Sequence, residues 1–279
     1  MKTDRIDLYN YFGLTRPDGA MGYLDIMLID EYPEFAVERI RPAMLVIGGG
    51  AYAMVSQREK EPVALKFIAE GYNAFILEYS TNPVHFPYQL IEACMATAYI
   101  RENADALSVN PEKVCAVGFS AGGHLCGMLA TLFDHQEVKK ALKDKVNLCR
   151  PDAVILSYPV ISSGEFSHVG SFNNLCGEQN DGLKKELSLE FCVNKNSAPA
   201  FIWSTVEDKC VPCENSLFMA LAYRKAGVPF ELHVYEKGNH GISICTDEVN
   251  TPNEQAKSWV NLSVNWLKNK GFYIKKKGE

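Results

Sequence analysis

Gly118-Phe119-Ser120-Ala121-Gly122 sets a hydroxyl between two residues that lack side chains. Ahead of it Val114 to Val117 is an apolar run of strand length, and behind it Gly123 to Thr131 continues at helical spacing. A strand that breaks into a helix at a serine lifts that serine's Oγ above the sheet, as a nucleophile requires. Such a turn needs strained, positive-φ backbone at Ser120, and the residues two before and two after it crowd neighbouring main chain, which accounts for Gly118 and Gly122. Because the helix begins at Ala121, the Ala121 N–H has no helical partner and lies at the positive dipole end, where a developing oxyanion would sit.

A serine nucleophile needs a base, and the base needs an orienting acid. Asp208 and His240 each follow a late strand, in that order, and an imidazole titrating near neutrality can take the Ser120 proton and return it to a leaving alcohol. Glu207 is the rival acid. Of the remaining histidines, His124 lies in the helix after the serine and His233 alternates in a strand, which suits packed structural roles; His85 and His135 fall in polar loops and are expected to be exposed. A second loop of small residues, Gly48-Gly49-Gly50-Ala51, follows the buried strand Ala43 to Ile47. It lets backbone N–H groups approach a ligand closely, with Gly50 and Ala51 the best donors for the other half of an oxyanion hole.

The elements that position these residues follow a regular rhythm. Strands are expected at 24–29, 43–47, 73–79, 113–119, 153–158, 200–204 and 230–235, with helices at 61–70, 88–103, 121–131, 213–226 and 253–269. Strands alternating with helices imply right-handed crossovers and a doubly wound, mostly parallel sheet with helices on both faces, opened by an antiparallel edge. Residues 1–19 are expected to lie across the surface. Residues 160–199 are too long for an ordinary connection and are expected to form a small cap over the C-terminal edge of the sheet within a single domain.

Composition narrows the function classes. With 279 residues, of which 47% are apolar, the chain can bury a large core, and a net charge of −6 offers no basic face for nucleic acid or anionic lipid. Lys275-Lys276-Lys277 reads as a solvated tail. No apolar stretch reaches membrane-spanning length and the first residues lack the apolar core of a signal peptide, so the expectation is a soluble cytoplasmic protein. Nine scattered cysteines suit buried thiols better than a disulfide framework, and Cys210-Val211-Pro212-Cys213 has no second half-site to complete a metal centre. No metal or organic cofactor is called for. Homo-oligomers remain possible through an edge strand or the last helix.

Gly48-Gly49-Gly50-Ala51-Tyr52 with Ser56, Arg58, Glu59 and Glu61-Pro62-Val63-Ala64, the elbow motif, Glu207-Asp208 with Val211-Pro212, and Gly238-Asn239-His240-Gly241 together resemble bacterial α/β-hydrolases of the acetyl-esterase, or acetyl xylan esterase, type. The resemblance implies Ser120 as nucleophile, Asp208 as acid, His240 as base and the Ala121 N–H as one oxyanion donor. The segment Ser163 to Phe172 is similar to the cap of these sugar-ester hydrolases, and the resemblance marks Tyr52, His168 and Phe172 as pocket-lining candidates. The expected activity is hydrolysis of short-chain esters, acetyl groups on a sugar or oligosaccharide foremost. A peptidase or aryl-ester hydrolase on the same triad, and a silent binding protein on the same fold, are the alternatives.

Overall fold

The computed structural model describes residues 1–278. The chain opens with β1 (Lys2–Asp7), α1 (Leu8–Phe12), β2 (Tyr23–Leu28) and β3 (Arg39–Ile47), then α2 (Glu61–Ala69), β4 (Asn73–Glu78), α3 (Tyr88–Glu102), β5 (Val109–Phe119), α4 (Ala121–Thr131) and α5 (Gln136–Leu142). It continues through β6 (Ala153–Ser157), α6 (Val169–Cys176), α7 (Asp181–Glu186), β7 (Ala200–Thr205), α8 (Glu214–Ala226), β8 (Phe230–Tyr235), α9 (Ser258–Lys268) and β9 (Lys275–Lys276). Eight strands share one sheet in the order β1-β2-β4-β3-β5-β6-β7-β8, and the two-residue β9 pairs with the start of β3. The β1/β2 and β2/β4 pairs are antiparallel and the rest of the eight-strand ladder is parallel.

The central strands are apolar throughout because both faces are covered. Along β3, Ala43, Leu45 and Ile47 join the core beneath α3, α4 and α8, while Met44 and Val46 join the core beneath α2 and α9. On the second side Trp203 of β7 stacks on Trp259 of α9 at 5.2 Å. Truncating either ring would cost about 3–5 kcal/mol, so α9 is fixed firmly against the sheet.

This strand order makes a crevice. From β3 the chain goes outward to β4, then crosses back through α3 to β5 on the other side of β3. The loops leaving β3 and β5 therefore diverge at their C-terminal ends, and open α/β sheets bind ligands at such a reversal.

Two expectations change. The first residues do not merely lie across the surface: Lys2–Asp7 pairs with β2 as the edge strand, Asp7 caps α1 through the Asn10 N–H at 3.0 Å, and Leu8 and Tyr9 are buried. An edge strand with no buried face has no apolar alternation to reveal it. The last helix begins at Ser258 instead of near residue 253, because Asn253 turns the chain, its carboxamide oxygen accepting the Ala256 N–H at 2.8 Å. Residues 160–199 carry α6, α7 and a 3-10 turn. Leu175 O accepts from Phe86 N at 2.8 Å, and the Asn174 carboxamide donates to Ala51 O at 2.9 Å, placing α6 beside the glycine-rich loop.

Candidate active site

Ser120 sits at φ 54°, ψ −120°, a conformation that costs about 1–3 kcal/mol and is held by hydrogen bonds from both neighbours in space. Its N–H donates to Ser157 O at 3.0 Å, and its carbonyl accepts from Val160 N at 3.1 Å. The flanking glycines are there for close approach. A Cβ on Gly118 would stand 2.3 Å from Gly122 O, and one on Gly122 would stand 2.3 Å from Gly48 O and 2.4 Å from Ile47 O. Both are backbone contacts with no room to yield.

Ser120 Oγ lies 2.7 Å from His240 Nε2, and His240 Nδ1 lies 2.6 Å from Asp208 Oδ2. The other Asp208 oxygen accepts the N–H groups of Cys210 and Val211, each at 2.9 Å, so the carboxylate is oriented by its own loop and buried behind the imidazole. A carboxylate on Nδ1 selects the tautomer with Nδ1 protonated and leaves Nε2 free to accept the Ser120 proton. Glu207 is exposed and accepts the Gly238 N–H at 3.2 Å, which removes it from the acid's position.

Across from Oγ lies the loop after β3. Gly49 N–H is committed to Glu59 Oε2 at 2.8 Å, whereas among the described residues the N–H groups of Gly50, Ala51 and Ala121 have no protein acceptor. Gly50 stands at φ 121° and Ala51 at φ 56°. Their carbonyls turn into the loop, where Gly50 O accepts from Ala53 and Met54 and Ala51 O from Asn174. Free N–H groups at two elements beside one serine are the parts of an oxyanion hole.

A cleft of about 280 Å³ contains these groups, lined by Gly50, Met54, Arg58, Ser120, His168 and His240 among others. His168 caps α6: its Nδ1 accepts from Ser171 N at 3.2 Å and contacts Ser171 Oγ at 2.8 Å. An Nδ1 that accepts a backbone N–H carries no proton, so in the neutral ring the proton is on Nε2. Burial, then the neighbouring His240, lowers the pKa of His168 and favours that neutral form. Cys210 also lines the cleft and, like Cys213, is a free thiol.

Tyr52 and Phe172 are not in the cleft wall. Tyr52 has φ 57°, which turns its ring inward, and its hydroxyl bonds His124 Nδ1 at 2.8 Å; Phe172, on the buried face of α6, packs its ring edge-on to His124 at 5.2 Å. Both are almost wholly buried, and they brace the elbow helix against α6 instead of touching a ligand. His124 Nε2 bonds Leu187 O at 2.8 Å, which completes a structural histidine. His135 caps α5 through Glu137 N and is half-buried, not a free loop residue.

Glu59 and Tyr158, to which the sequence assigned no role, stand behind Ser120 and His240. The Glu59 carboxyl, 3% exposed, accepts from Gly49 N and, through Oε1, from the Tyr158 hydroxyl at 2.7 Å. Burial pushes its pKa up. The Tyr158 hydroxyl in turn accepts the Ser243 N–H at 2.9 Å, and its ring meets the His240 ring edge-on at 5.0 Å. An acid three residues after Ser56, within the segment that carries the resemblance, and a tyrosine ending a strand before a proline are the local signals they offer.

The match to known families agrees with this geometry. The BD-FAE family model covers residues 29–222, from the end of β2 into α8. The chain belongs to the BD-FAE family of α/β-hydrolases. Among solved structures, the BD-FAE chain superposes on the acetyl ester-xyloside bifunctional hydrolase of Caldicellulosiruptor lactoaceticus with a TM-score of 0.85 at 35% identity, over 97% of each chain. It is 41% identical over 215 residues to endo-1,4-beta-xylanase B of Butyrivibrio fibrisolvens, covering 75% of this chain and 33% of that protein. It is 28% identical over 211 residues to the acetylxylan esterase of Xylanibacter ruminicola, covering 73% of this chain and 42% of that one. The chain thus matches less than half the length of these curated relatives.

Proposed function

We propose that this protein is a carboxylic-ester hydrolase that cleaves acetyl esters of sugars or xylo-oligosaccharides through an acyl-enzyme on Ser120. The observation that carries the reading is the continuous Ser120–His240–Asp208 hydrogen-bond chain, opening into a cleft with unpaired N–H groups beside Oγ. His240 Nε2 takes the proton as Ser120 Oγ attacks the ester carbonyl, and Asp208 steadies the imidazolium. The carbonyl oxygen becomes an oxyanion facing the N–H groups of Ala121, Gly50 and Ala51. Collapse breaks the bond to the alcohol oxygen, which leaves with the proton from His240. Water, deprotonated by His240, then attacks the acyl carbonyl; the bond to Ser120 Oγ breaks, His240 returns the proton to Oγ, and the acid is released.

The walls of the cleft support a short acyl group. Among the described residues that line it Met54 is the one large apolar side chain, and Arg58 and His168 offer donors to a hydroxylated alcohol. Relatives described as an acetylxylan esterase and as an acetyl ester-xyloside hydrolase support the same class. The test is hydrolysis of p-nitrophenyl acetate, butyrate and octanoate beside Ser120→Ala, with acetate release from acetylated xylo-oligosaccharides in parallel. The expected order is acetate above butyrate above octanoate, with every activity lost in Ser120→Ala. Octanoate as the best substrate, or turnover that survives in the variant, would overturn the reading.

A further inference from the structure

Glu59 is a buried acid that the triad does not use. Burying a carboxylate is costly unless every oxygen is satisfied, yet this one stands in the wall of the cleft with Ser120 and His240. Its two oxygens hold one group from each half of the site. Oε2 holds Gly49 N–H, in the residue before the free Gly50 N–H, and Oε1 holds the Tyr158 hydroxyl, which holds Ser243 three residues after His240. Further bonds tie the same junction: Ser243 Oγ donates to Arg58 O, and the Trp259 indole donates to Ser243 O.

We infer that Glu59 is a positioning residue that couples the oxyanion loop to the His240 loop, and that its negative charge supports the imidazolium formed on His240. The inference rests on the esterase reading of this site. Gly49 N–H can only donate, so Oε2 carries no proton; with the Tyr158 hydroxyl donating to Oε1, both oxygens accept and the carboxyl is ionised, these bonds opposing the burial that pushes its pKa up. The carboxylate thereby fixes two loops far apart in sequence, and it supplies a second negative charge near the imidazole besides Asp208. The titratable or charged neighbours of His240 are Asp208 on Nδ1, Tyr158 on the ring edge, His168 and Glu59; Arg58 reaches Gly241 O at 3.3 Å, and Cys210 lies on the Asp208 loop.

Glu59→Gln keeps the shape, removes the charge and leaves one accepting oxygen where there were two, so the Gly49 N–H and the Tyr158 hydroxyl proton can no longer both be accepted. With p-nitrophenyl acetate the expected result is a kcat lower by about ten- to a hundredfold, KM within about threefold, and an acid limb of the kcat/KM profile unchanged or moved to lower pH, never to higher. The decisive readout is independent of turnover: NMR titration of His240 in the Ser120→Ala background, where Glu59→Gln should lower the midpoint by about half a unit or more. Tyr158→Phe keeps the charge and cuts the link, so it should lower kcat while leaving the His240 midpoint within about 0.2 units. Urea midpoints and circular dichroism establish that each variant is folded. An unmoved His240 midpoint in Glu59→Gln, or wild-type kcat in Tyr158→Phe, overturns the inference. If the wild type hydrolyses no ester, the esterase reading fails while the titration still decides whether Glu59 bears on His240.

Discussion

Replacing Glu92 with glutamine should change how stability depends on pH while leaving the site untouched. Glu92 lies on α3, wholly buried, and gathers the Tyr9 hydroxyl at 2.9 Å, the Ser80 N–H at 2.6 Å and the Ser80 hydroxyl. Burial outweighs those donors and raises its pKa from 4.5 to about 7. A carboxyl whose folded value is the higher one contributes its full stability below pH 4.5, and that contribution is lost as pH rises through about 7. From pH 5 to pH 8 the loss is about 2.5 kcal/mol.

His124 works in the opposite sense. Burial lowers its pKa from 6.5 to about 4, so its contribution is full above pH 6.5 and is lost as pH falls through about 4. From pH 5 to pH 8 it gains about 2 kcal/mol. The two buried groups therefore nearly cancel in the wild type. Glu92→Gln uncovers the His124 slope, and the stability of wild type minus that of the variant should fall by about 2.5 kcal/mol between pH 5 and pH 8. Urea unfolding followed by the fluorescence of the buried Trp203 and Trp259 measures it. Parallel midpoints for the two proteins across that range would refute the reasoning, because they would mean that Glu92 titrates alike folded and unfolded.

Two further outcomes follow from the site's packing. Gly122→Ala drives a methyl into Gly48 O and Ile47 O, so it should cost about 2 kcal/mol or more and nearly abolish ester turnover, as urea midpoints and p-nitrophenyl acetate rates would show. His168→Asn keeps an acceptor for the Ser171 N–H but withdraws the Nε2–H from the cleft. It should leave stability within about 0.5 kcal/mol, lower kcat/KM for acetylated xylo-oligosaccharides about tenfold and spare p-nitrophenyl acetate; an equal loss on both substrates would contradict the assignment.

Sequence patterning revealed what repeats or is stripped bare. β3, β4, β5, β6 and β7 were legible because covering both faces demands unbroken apolar runs, and the elbow because close backbone approach demands Gly118 and Gly122. β1 escaped because an edge strand has no apolar side to display. Tyr52 and Phe172 were misplaced because proximity in sequence to a ligand loop does not say which way a ring turns: a positive φ sends Tyr52 inward, and the period of α6 buries Phe172 with Leu175 and Cys176. Glu59 and Tyr158, 99 residues apart, carry no pattern that announces their pairing. Such a contact exists only once the sheet has brought the loops together.

The bond from the Asn174 carboxamide to Ala51 O has a consequence for engineering. α6 is not a detachable lid but part of the scaffold that holds the glycine-rich loop on which the proposed oxyanion hole rests. A chimera that grafts another family member's 160–199 segment to change substrate range must therefore bring a donor for that carbonyl. Without one, the transplanted segment would retune the rate of every substrate together while its own pocket went unread.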